Sequence, residues 1–161
     1  LTGLSIIGCQ PRGKVAMAKT ILVPAIVLAL WTLVVMLLMG YQRFGAVKKL
    51  PKEKLRELPR VGGRGQDLEK VLPTQANWAG HNYSNLLEQP QLFYFTVIVL
   101  ALLGEGSGLS LMLAWGYTLL RMAHSIWQIT VNTVPIRFAL FLLSSACLIG
   151  LSIKALLSAI G

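Results

Sequence analysis

Residues 21–39 are apolar at every position except Thr32, and this run excludes most soluble folds. It is close to the ~20 residues that a helix needs to cross the hydrocarbon layer of a bilayer. Comparable stretches follow at about 83–103, 109–131 and 136–160. They leave the 161-residue chain 55% hydrophobic and only 13% charged, too few charges to cover a soluble globule of this size. The expected fold is therefore an all-α integral membrane protein, a four-transmembrane-helix bundle with helices at about 20–43, 83–104, 108–131 and 136–160.

One domain over residues 17–161 is expected, preceded by an extension at 1–16, because Met17-Ala18-Lys19-Thr20 before an apolar run reads as a natural start. Ile6-Ile7-Gly8-Cys9 faintly resembles a lipoprotein cleavage box, but no basic region precedes it and its apolar stretch is short. Cys9 and Cys147 show neither metal-ligand spacing nor a framework of pairs, so no metal site and no disulfide fold is expected.

The formal net charge of +9 would suit a nucleic-acid binder, yet eight of the fifteen basic residues lie in residues 48–70, between apolar runs. That placement points to anionic membrane lipids and away from nucleic acid. The polar segment at 45–77 should be a cytoplasmic loop, since short basic connections stay inside, and both termini then lie outside the cytoplasm. Within it, residues 51–58 read as a short helix stopped by Pro59. Arg60-Val61-Gly62-Gly63-Arg64-Gly65 reads as a flexible surface loop, because it lacks the Lys-Ser/Thr of a phosphate loop. Residues 104–108 form a short opposite turn, and Lys154 is placed to extend its ammonium to the interface on that side.

The chemistry concentrates in the second half. Arg121, His124, Gln128 and Asn132 stand at i, i+3, i+7 and i+11 in an apolar segment, and Arg137 follows Pro135. Asn85 and Glu88 share a face near the head of the second span, where Pro90 should disturb the first turns. Ionisable groups in such segments are expensive and need partners. On a structural reading Glu88 pairs with Arg121, while Asn85 and His124 complete the hydrogen bonds. On a functional reading two arginines hold a carboxylate-bearing small molecule and lower the pKa of a thiol brought to them. A channel would need a continuous polar path, which these spans lack.

Asn85-x-x-Glu88, Arg121-x-x-His124 and Pro135-Ile136-Arg137 together resemble the MAPEG family, the membrane-associated proteins in eicosanoid and glutathione metabolism. That family includes microsomal glutathione transferases and prostaglandin E synthase, and the similarity covers residues 17–161. The resemblance implies homotrimers that bind glutathione between protomers near the cytoplasmic face. Arg137 would stabilise the thiolate as the catalytic residue, and Asn85, Glu88, Arg121 and His124 would bind or order the tripeptide. It further implies a bacterial inner-membrane protein acting as a glutathione-dependent transferase or peroxidase on lipophilic substrates. Three departures stand out. Gly80-His81-Asn82-Tyr83-Ser84 replaces an arginine-rich run, Gln128 replaces a tyrosine, and Phe138 replaces a serine. They favour an alternative, a non-catalytic structural or accessory subunit among other membrane subunits.

Overall fold

The computed structural model describes residues 19–59 and 61–160, in which seven helices and no strand occur. The expectations for residues 1–16, for the Met17 start and for Cys9 fall outside the described residues.

Helix α1, Leu22–Val47, buries Pro24, Ala25, Leu28, Thr32 and Val35 along one face, while Ile26, Leu30, Leu33 and Leu37 are exposed on the other. Thr32 is tolerated in this apolar helix because its Oγ1 donates to the Leu28 carbonyl at 2.9 Å. The polar segment then folds into α2, Lys52–Arg56, inside the range expected for it, and α3, Gly65–Val71.

Helix α3 was not anticipated, and a local cap together with side chains far apart in sequence explains it. The Asp67 carboxylate accepts the Arg64 N–H at 2.9 Å, satisfying a donor at the helix start. Glu69 then accepts from Arg43 Nη2 at 2.9 Å and lies 3.3 Å from His81 Nε2, while its carbonyl accepts from Asn77 Nδ2 at 3.1 Å. The segment is thus tied to α1 and to the following helix. Gly80 makes the tie possible, since a Cβ there would stand 2.5 Å from Arg43 Nη2. Gly80→Ala is expected to push Arg43 off Glu69 and to raise proteolysis around residues 61–73 several-fold. Thermal stability should move by no more than about 1 kcal/mol, because a partly exposed ion pair contributes little and alanine favours the helix. Limited proteolysis beside a melting curve measures both.

Helices α4, Thr74–Glu88, and α5, Pro90–Leu102, run on as one stretch, Thr74–Leu102. It begins well before the expected start near residue 83, because the first turns of α4 are polar and carry no hydropathy signal. Pro90 interrupts it little: it occupies the first position of α5, where a missing N–H is tolerated, and Gln89 stays in the α region at φ −65° and ψ −38°.

Helix α6, Leu109–Thr130, packs against α7, Val134–Ile160. Small residues allow the approach, as a Cβ at Gly150 would lie 3.1 Å from Leu113 Cδ1 and one at Gly116 would lie 3.3 Å from Cys147 Sγ. The small-residue face of the last span, around Ala146 and Gly150, is therefore used at Gly150 by a helix of the same chain. Lys154 pairs with Glu105 at 2.9 Å across the turn before α6.

Among the described residues three stretches are long and apolar enough to cross a membrane: α1, the α4–α5 run and α7. Helix α6 has 22 residues but turns Arg121, His124, Ser125 and Gln128 to the interior. The core between the helices holds Leu28, Val35, Leu86, Phe93, Val97, Leu100, Tyr117 and Leu151, with the Phe93 and Tyr117 rings stacked at 4.3 Å. In a bilayer, close packing of this kind replaces water exclusion as the force between helices.

Candidate functional site

The polar face of α6 meets a polar stripe on α4. Asn82, Asn85 and Glu88 recur every third residue, so they follow one side of α4. Asn82 is fully buried and donates from Nδ2 to Ser125 Oγ at 2.6 Å, where Trp31 Nε1 of α1 also donates at 2.9 Å. One turn on, Asn85 Nδ2 donates to Gln128 Oε1 at 3.0 Å. These contacts set the register of α1, α4 and α6 together.

Asn82→Ala tests this layer. It removes a buried hydrogen bond, but it also removes Asn82 Oδ1, a buried acceptor without a partner. The expected loss is about 1 kcal/mol, at the low end for a buried polar deletion. Thermal unfolding in detergent, followed through the tryptophan fluorescence to which Trp31 contributes, reports it.

Arg121 differs from its neighbours. It is 1% exposed, donates from Nη2 to the Asn85 carbonyl at 2.6 Å and stands 5.7 Å from the centre of the Phe141 ring. Its Nε and Nη1 are buried without an acceptor. The expected Arg121–Glu88 ion pair is not formed. Glu88 is exposed and acts on the guanidinium only through space, because Arg121 turns to the α4 backbone one turn earlier. His124, also buried, places its ring 6.4 Å from that of Phe141, and Gln128 takes the Asn85 side chain expected to join the Arg121 cluster.

After α6 the chain turns through Asn132, whose φ of 57° is the left-handed conformation that asparagine adopts more readily than most residues. Asn132 therefore leaves the helical face expected of it and serves the turn. Its Oδ1 accepts from Arg137 Nη1 at 2.7 Å, which holds that half-buried guanidinium at the head of α7.

All five sequence-derived candidates line one cavity of about 250 Å³: Asn85, Glu88, Arg121, His124 and Arg137, joined by Gln89, Val134, Phe138 and Phe141. Gln89 also donates from Nε2 to Ser145 Oγ at 2.8 Å, linking the α4–α5 joint to α7. Sequence reasoning missed Gln89, Phe141 and the Asn82–Ser125 pair. The three-residue repeat of Asn82, Asn85 and Glu88 was the signal available for the last. Among the described residues no group of three His, Cys, Asp or Glu side chains is placed to hold a metal.

The cavity therefore offers two fixed cations, one with unused donors, beside two amides, a carboxylate, an imidazole and two phenyl rings. Such a set can hold a small anion and favour the ionised form of an acid. In comparison with known proteins, a sequence model of the MAPEG family matches residues 21–157. No curated protein and no solved structure matches the chain.

Proposed function

The chain belongs to the MAPEG family and is an integral membrane protein, and from that premise we propose that it is a glutathione-dependent transferase or peroxidase for lipophilic substrates. The observation that carries this reading is Arg121, a buried guanidinium lining the cavity with two donor nitrogens left unmatched. Buried donors without partners each cost about 1–3 kcal/mol, a cost that an acceptor-rich ligand removes. Glutathione carries two carboxylates and fits that need.

In this reading α6 crosses the bilayer as a fourth span, and its polar side faces protein throughout. Arg121, Asn85 and Glu88 hold the tripeptide, His124 walls the site, and Arg137 stands nearest the thiol. Bound glutathione supplies the nucleophilic sulfur. Arg137 favours its ionised form by placing a positive charge beside it, and Asn132 fixes that charge in place. Phe138 and Phe141 keep one side of the site apolar, which strengthens the interaction.

The cavity is smaller than the ~300–1,000 Å³ usual for sites that enclose a drug-sized ligand. A homotrimer, in which a second protomer closes the site, accounts for the shortfall. An apolar groove of about 660 Å³ between α5 and α7 shares Gln89 with the cavity and supports entry of the lipophile from the bilayer. In this reading the membrane is a bacterial inner membrane, the basic loop lies on its cytoplasmic side, and the site is near that face with both termini outside the cytoplasm.

Titration of the purified protein with glutathione, read by calorimetry and by the ultraviolet absorbance of a thiolate, tests the reading. Saturable heat with thiolate absorbance at neutral pH is expected. Neither signal at millimolar glutathione would leave the accessory-subunit alternative in its place.

A further inference from the structure

A second cavity, of about 1000 Å³, shares no residue with the candidate site. It lies where the last turns of α1 meet the first turns of α4 and the end of α6. Its lining includes Tyr41, Gln42, Lys48, Lys49 and Trp78, and no acidic residue. We propose that it binds the headgroup of an anionic phospholipid.

Three observations converge on that occupant. The first is depth: the apolar run of α1 ends at Met39, and Tyr41 to Lys49 lie two to ten residues farther on. At about 1.5 Å per residue this is ~3–15 Å beyond the hydrocarbon edge, where headgroups sit. The second is charge, since Lys48 and Lys49 are exposed cations and none of their ion pairs is formed among the described residues. The third is hydrogen bonding. Gln42 and Trp78, whose side chains carry hydrogen-bonding groups, line the wall. A phosphate can accept from the lysines, from the indole N–H and from the Gln42 amide N–H. Tyr41 and Phe44, both strongly exposed, supply the aromatic flank typical of an interface.

The experiment reconstitutes the full chain in phosphatidylcholine discs with increasing phosphatidylglycerol and counts retained lipids by native mass spectrometry. Retention of phosphatidylglycerol over phosphatidylcholine is expected. A lysine at an anionic surface contributes about fivefold, so K48Q/K49Q should weaken retention roughly 25-fold. The control is K52Q/K54Q, which removes two exposed lysines of α2 that do not line the cavity and should change retention little. All four side chains are exposed, so both variants should fold, and unchanged melting curves check this. Equal losses in the two variants would reduce the effect to overall charge and overturn the site. So would the absence of lipid preference in the unaltered chain, or displacement of the lipid by inorganic phosphate alone.

Discussion

Arg137→Ala is expected to abolish the thiolate absorbance of bound glutathione at neutral pH and to lower turnover about a hundredfold or more. A cation about 4 Å from a thiolate contributes roughly 4 kcal/mol at the effective dielectric of a partly exposed protein site. Divided by 1.36 kcal/mol per unit, this lowers a thiol from its usual value near 8.5 by about three units. The thiol then changes from mostly ionised at pH 7 to a few per cent ionised when the charge is removed, and loss of stabilisation in the transition state adds to that. Arg137→Lys should keep part of the absorbance, since the charge survives, and lose affinity, since the planar fork held by Asn132 does not. An Arg137→Ala protein that binds glutathione with undiminished thiolate absorbance would remove Arg137 from the chemistry. Asn132→Ala is a milder version: the guanidinium stays but is no longer fixed, so turnover should fall by about tenfold or less.

How much of this was legible in the sequence depends on where each signal lies. The spans at 21–39 and 136–160 were visible because every residue in a membrane helix must be compatible with lipid or with a partner. The five candidate residues that line the cavity were visible for the converse reason, as polar groups where few belong. The start of α4 was hidden, because residues 74–82 are polar enough to look like loop although Asn77, Ala79, Gly80 and Asn82 are buried. Helix α3 was hidden too, since it depends on Glu69 reaching Arg43, 26 positions back. The pairing of Arg121 with Glu88 was expected from charge alone. Geometry decided otherwise, because Arg121 reaches the backbone of Asn85 and leaves Glu88 at the exposed rim. Charge complementarity names the groups that meet in a cavity, and the hydrogen bonds within it require coordinates.

Arg121→Met separates the structural reading of the buried polar groups from the functional one by the sign of its effect. If Arg121 serves only to fix the helix register, removing it should destabilise the protein by about 3–5 kcal/mol, as when a satisfied buried pair is broken. The guanidinium here is not satisfied. It makes one hydrogen bond, has Nε and Nη1 unmatched, and lies against an aromatic ring. An apolar side chain of similar length can retain the contact with Phe141 while removing the unmatched donors. The unliganded protein should therefore be as stable as before or more so. Binding should fail at the same time. Unaltered protein at glutathione a hundredfold above its dissociation constant gains about 2.7 kcal/mol, and the variant should gain almost nothing. Melting curves with and without glutathione give both numbers. A variant that melts far lower without ligand would assign Arg121 to the scaffold. One that melts normally and ignores glutathione would show that the buried charge is kept for a ligand, at a cost the folded chain carries until that ligand arrives.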